Sequence, residues 1–149
     1  MTFRHLLTGA FRRKARTPVV ADQAAVGAPP SLRAAIALHQ AGRLSEAAAG
    51  YQQILEIHPN HVDALQLAGA LALQTGAAQE AVELLARAAN AAPRHAPAWL
   101  NLAQAYRALD RPDDVHRALD TALDIEQDFE AAHTLRGMTL VAQGRMVEA

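Results

Sequence analysis

The chain has 149 residues, no cysteine and a formal net charge of −1, which leaves room for one modest domain or a short solenoid and excludes a disulfide framework or a cysteine-based metal centre. About a quarter of the residues are alanine and only 4% are aromatic, a composition that favours helix over sheet. The charge is divided: residues 1–30 carry Arg4, Arg12, Arg13, Lys14 and Arg16 against Asp22, while the remainder is acidic with a net of −5, which argues against nucleic acid as its partner.

Residues 1–17 have the spacing of a short basic amphipathic helix, with Phe3, Leu6, Leu7, Ala10 and Phe11 near one face and Arg4, Arg12 and Arg13 towards others. Two readings stay open: a weak peripheral contact with a membrane surface or partner, and a loosely ordered terminus. No apolar run approaches the roughly 20 residues of a membrane span. The apolar residues before Arg12 are too few for a secretory core, and charge and proline follow the Arg12-Arg13 pair. A cytoplasmic chain without integral membrane contact is expected. Lys14 is the only lysine among fourteen basic residues, a usage that suits a GC-rich bacterial genome. Pro18, Gly27, Pro29 and Pro30 mark residues 18–30 as a linker.

From Ser31 the pattern becomes helical. Ser31 is a plausible N-cap for a helix running to about Ala41, where Gly42 stops it. A second helix spans about Ser45 to Ile57, and His58-Pro59-Asn60 turns the chain. Helices from about Val62 to Thr75 and from about Ala78 to Ala91 follow, separated by Gly76 and closed by Pro93. In the next unit Asp110 stands where glycine is preferred, and Pro112 suits the first residue of a helix. Val115 replaces a small residue, which predicts a slightly wider hairpin. A turn near Glu126 to Asp128 is expected, with Asp128 capping a last helix from about Glu130 to Gln143. Gly144-Arg145-Met146-Val147-Glu148-Ala149 parallels Gly42-Arg43-Leu44-Ser45-Glu46-Ala47, so the chain stops about one turn into a further helix. A solenoid normally ends in a polar cap. The missing one suggests the front part of a longer polypeptide, or an end buried by self-association.

These elements repeat every 34 residues without insertion: units begin at Ala28, Val62, Ala96 and Glu130. Position 8 holds Ala35, Gly69, Ala103 and Gly137; position 15 holds Gly42, Gly76, Asp110 and Gly144. Small residues at position 8 let two helices approach closely, glycine at position 15 suits a left-handed helix end, and a proline such as Pro59 or Pro93 cannot continue a helix. Trp99, Leu102, Ala103 and Tyr106, then Ala47 with Tyr51, then Pro59, follow the pattern Trp-x2-Leu-Gly-x2-Tyr, Ala-x3-Phe, Pro. The chain from about residue 28 onwards therefore resembles the tetratricopeptide repeat family. The resemblance implies an all-α, right-handed α-solenoid of about three and a half antiparallel helix pairs, occupying residues 31–149 behind a basic segment at 1–30.

The family's binding groove is lined by the first helix of each repeat at positions 2, 5, 9, 12 and 13, a spacing that holds side chains on one face. Carried onto this chain, the resemblance implies a groove of Leu32, Ile36, His39 and Gln40; Asp63, Gln66, Ala70, Leu73 and Gln74; Leu100, Gln104 and Arg107; and Thr134, Met138 and Val141. Such a mixed apolar and amide surface suits an extended peptide. The lysine and asparagine clamp of the family's chaperone-tail binders is absent, since Leu32, Ile36 and Leu67 occupy its first positions. Of the asparagine ladder in the repeat arm of O-linked N-acetylglucosamine transferases, only Asn101 is present, with Leu67 and Leu135 in the flanking repeats. The run from Leu38 to Ala47, with Tyr51 to Leu55 and His58 to His61, resembles the opening repeats of large bacterial proteins carrying glycosyltransferase or sulfotransferase domains.

Two functions follow from the resemblance: a protein–protein interaction scaffold that binds an extended peptide, or the substrate-recognition arm of a larger transferase. Neither makes this chain an enzyme. No nucleophile elbow, phosphate loop or dinucleotide fingerprint occurs, and no cofactor is implied. The chain has seven histidines, but Pro59 separates His58 from His61, and His61 and His95 share one repeat position, so metal is not expected. The acidic stretch from Asp110 to Glu130 lacks the glycine of a calcium loop.

Overall fold

The computed structural model describes residues 31–144. The expectations for the basic N-terminal helix, for the linker and for a helix opening after Gly144 all lie outside them. Among the described residues there are seven α-helices and no strand: α1 Leu32–Gln40, α2 Leu44–Ile57, α3 Val62–Gln74, α4 Ala78–Ala91, α5 Ala96–Ala108, α6 Pro112–Ile125 and α7 Glu130–Ala142. The five helices with expected bounds, α1 to α4 and α7, fall within two residues of them, and α6 opens at Pro112 as expected. The chain folds into helical hairpins α1–α2, α3–α4 and α5–α6, each stacked on the next, with α7 closing on α6. This is an all-α solenoid.

The turns inside the hairpins follow one design. Gly42, Gly76 and Gly144 have φ of 78°, 85° and 75°, and Asp110 reaches the same left-handed region at 54°. That reversal satisfies the carbonyls left over at a helix end. Arg43 N–H donates to the Leu38 carbonyl, Ala77 N–H to that of Ala72 and Arg111 N–H to that of Tyr106, at 2.9, 2.8 and 3.0 Å. These are the long bonds of a Schellman ending. The helices that follow have no side-chain N-cap. They carry Glu46, Glu80 and Asp114 in the first turn instead, where a negative charge complements the helix dipole. Arg43 and Arg111 pair back onto Glu46 and Asp114.

The turns between repeats differ. Ser31 Oγ accepts from Ala34 N–H at 3.4 Å, and His61 Nδ1 accepts from Ala64 N–H at 3.3 Å. Asp128 does not cap α7: the capping position is taken by Phe129, which makes no side-chain cap bond. The turn at Gln127 and Asp128 and the start of α7 at Glu130 fall as expected, and Phe129 packs against the core around α5 and α6.

Small residues let the hairpins close. A Cβ at Gly69 would lie 2.5 Å from Leu85 Cγ, and one at Gly50 would lie 3.0 Å from Ala35 Cβ. Ala35, Ala47, Tyr51, Leu65, Leu85, Ala103, Val115 and Leu119 are essentially buried. Val115 is accommodated in the same cluster as Ala103. Trp99 and Tyr106 pack against the clusters on both sides of α5, so the core runs from one repeat into the next. The Trp99 indole N–H donates to the Pro93 carbonyl at 3.0 Å, and Arg87 donates to the Pro59 carbonyl at 2.7 Å. Each ties a helix to an inter-repeat turn.

Candidate functional site

The stack has two unlike faces. The first helices of successive repeats touch, α1 to α3, α3 to α5 and α5 to α7, whereas no such contact links α2 to α4 or α4 to α6. Helices that touch on one side and part on the other make the first side concave. The concave row is therefore α1, α3, α5 and α7.

Of the fifteen groove residues expected along this row and Asn101 beside them, all but one are half-buried or exposed, and Leu100 is buried at 9% exposure. The reason lies in the stacking. Position 5 of one repeat meets position 6 of the next: Gln66 accepts from the Asn101 amide at 3.1 Å, and Leu100 shares a core cluster with Leu135. Leu32 and Leu67 likewise pack against one cluster. Where both partners are apolar the pair becomes inter-repeat core, and where both are amides it stays near the surface. Asn101 is thus held by its neighbour rather than standing free.

His39 is the most constrained polar group of the row. Its Nδ1 lies 3.1 Å from the Tyr51 hydroxyl and its Nε2 lies 2.9 Å from Gln74 Oε1. Burial raises the pKa of the Tyr51 phenol above its usual value of 10.0, so the hydroxyl keeps its proton. Gln74 Oε1 is an acceptor, so Nε2–H donates to it, and Nδ1 is left to accept from the Tyr51 hydroxyl. Tyr51 escapes a reading of groove positions because it lies on α2. Its hydroxyl nonetheless orients a groove residue and, through it, Gln74 of the next repeat.

The repeat 1 end of the row is apolar, with Leu32 and Ile36 half-buried on the core. The other end opens into a cleft of about 730 Å³ between α5 and α7. It joins four expected residues, Gln104, Arg107, Thr134 and Met138, to Phe129, Glu130 and Leu135, which the sequence pattern did not single out. Phe129 stands at the repeat position that holds His61 and His95, and that exchange of imidazole for phenyl is the sequence signal that could have found it. Arg107 donates to Met138 Sδ at 3.9 Å. A second cleft, of about 560 Å³, lies between α2, α3 and α4 and includes Leu55, Leu84 and Arg87.

Among the described residues, no group of three or more histidine, aspartate or glutamate side chains could hold a metal. The rings of His58 and His61 are 6.5 Å apart, and His61 is occupied as a helix cap. No helix of the described residues is long and apolar enough to cross a membrane.

A family model described as tetratricopeptide repeat matches residues 38–92 and 72–139. Curated proteins give no sequence match. Solved structures do: MamA "41-end" from Desulfovibrio magneticus RS-1 is 25% identical with a TM-score of 0.73, over 78% of this chain and 66% of that one. A crystal structure of MamA is 17% identical with a TM-score of 0.77, over 85% and 77%. MamA AMB-1 is 24% identical with a TM-score of 0.68, over 79% and 69%. The first of these matches span 66%, 65% and 61% of the MamA chains, so this chain covers about two thirds of their length or less.

Proposed function

The chain belongs to the tetratricopeptide repeat family, and from that premise we propose that it is a protein-binding module whose concave face takes an extended peptide. The observation that supports this reading is the unbroken contact of α1, α3, α5 and α7. It sets four helices side by side and presents amides at Gln40, Gln74 and Gln104 beside apolar groups at Leu73, Met138 and Val141. Exposed amides can pair with peptide backbone, and the apolar strips between them can take side chains. Met138 and Val141 are 50% and 52% exposed, which leaves their side chains open to contact with a ligand.

No described residue favours attachment to a transferase, membrane contact through residues 1–17, or self-association through the last repeat. These remain expectations of the sequence.

The test is selection of peptides from a random displayed library on the full chain, followed by amide chemical-shift mapping of the winners. Shifts should concentrate in residues 32–40, 62–74, 96–108 and 130–142. A library that yields no binder, or shifts confined to the cleft around Leu55 and Leu84, would refute the reading.

A further inference from the structure

The cleft between α5 and α7 carries a charge at each end and an apolar floor. Arg107 stands near the C-terminal end of α5 and touches Met138, while Glu130 opens α7. Arg107 forms no ion pair among the described residues, and neither does Glu130. Both line the same cleft, without α6 contributing a residue, so it opens on the concave side. Met138 and Glu130 are eight residues apart on one helix, a rise of about 12 Å. Between them the floor is Leu135, 6% exposed, with Phe129 at the Glu130 end and Met138 at the Arg107 end.

An extended strand advances about 3.3 Å per residue and turns alternate side chains to one side. Residues i, i+2 and i+4 therefore face one way and span about 13 Å, close to the rise along α7 from Glu130 to Met138, the residue that Arg107 touches. We infer that this cleft selects a peptide segment with an acidic and a basic side chain four positions apart and a bulky apolar side chain midway between them. The acid pairs with Arg107 and the base with Glu130. The apolar group sits over Leu135, and the Gln104 amide meets the peptide backbone. Two opposite charges in the cleft favour an internal segment of mixed charge over a bare carboxylate terminus, which Glu130 would repel. The inference rests on the concave face being the peptide-binding face and adds what that face reads at this end.

Synthetic fluorescent peptides test it by anisotropy on the full chain: Glu-x-Leu-x-Lys in both orders, the all-acidic Glu-x-Leu-x-Glu, the all-basic Lys-x-Leu-x-Lys, and a version with alanine at the centre. Library-selected peptides mapped to the concave face serve as positive controls. One of the mixed orders should bind best, and the central alanine should weaken it. Arg107→Glu should shift preference to the all-basic peptide by about tenfold, and Glu130→Arg should shift it to the all-acidic one by a similar factor. Both substitutions are at exposed positions, and thermal melts confirm that each variant is folded. If the mixed peptides bind no better than the others and the two variants leave preference unmoved while the positive controls still bind, this inference falls and the groove reading stands. If no library peptide maps to the concave face, both fall.

Discussion

At Gly69 a single hydrogen decides how close two helices come. The Leu85 side chain that a Cβ there would strike is fully buried, so it has nowhere to swing. Gly69→Leu gains roughly 1 kcal/mol of helix propensity, but overpacking a tight crossing costs about 1–3 kcal/mol, and a whole leucine belongs at or beyond the upper end. A net loss of more than about 2 kcal/mol is expected from denaturant unfolding, and an unchanged midpoint would show that α3 and α4 do not cross there. Gly137 occupies the same repeat position, yet among the described residues a Cβ there meets nothing within 4 Å. Gly137→Ala should therefore stabilise by about 0.5–1 kcal/mol from propensity alone. The two substitutions share a place in the repeat and should have opposite signs. The sequence pattern singles out both glycines as close-approach positions, and it could not separate them, because the difference lies in what faces each one. His39 shows the same limit. Its groove position follows from spacing, whereas its hydrogen bonds to Tyr51 and Gln74 depend on residues 12 and 35 positions away, a pairing no local pattern encodes.

Among the turns, the one after α5 is the exception that tests the rule. Asp110 adopts a φ of 54° where the equivalent turns use glycine, and its carboxylate makes no side-chain hydrogen bond among the described residues. A residue with a Cβ pays about 1–2 kcal/mol in this region, less for aspartate than for most. Glycine would remove that strain and return about 0.4–1 kcal/mol of chain entropy to the unfolded state. Asp110→Gly should stabilise by about 0.5 kcal/mol, read as a rise in melting temperature. A fall would mean that the carboxylate stabilises the turn. Helix existence and order were legible because glycine and proline punctuate the chain at fixed intervals. The N-cap of α7 was not. Asp128 has the right chemistry, but capping preference is worth about 1 kcal/mol, and the helix keeps the 34-residue register, in which Phe129 takes the capping position that His61 and His95 hold before α3 and α5.

Across the whole stack, stability is a sum of neighbour interfaces, and the helices do not share those equally. Within residues 31–144, α3 touches α1, α2, α4 and α5, α5 touches α3, α4, α6 and α7, and α4 is packed between them, whereas α1 meets only α2 and α3, and α7 only α5 and α6. Native-state hydrogen exchange should show the slowest amides in α3, α4 and α5 and faster exchange in α1 and α7, since local opening follows local packing. Uniform protection across all seven helices would indicate a single cooperative unit instead. The solenoid itself was readable from the 34-residue period. The cleft at α5 and α7 was only half readable: Gln104, Arg107, Thr134 and Met138 lie at periodic positions, but Phe129 and Leu135 enter it because consecutive repeats are offset, so that position 5 of one meets position 6 of the next. The contact of inner helices without contact of outer ones also has a mechanical meaning. Tightening the arc would press the touching row together, against close-packed atoms, while straightening it only narrows the empty gaps along the outer row. The spring is stiff in one direction and soft in the other, so a bulky partner can prise the arc open more easily than a small one can draw it shut.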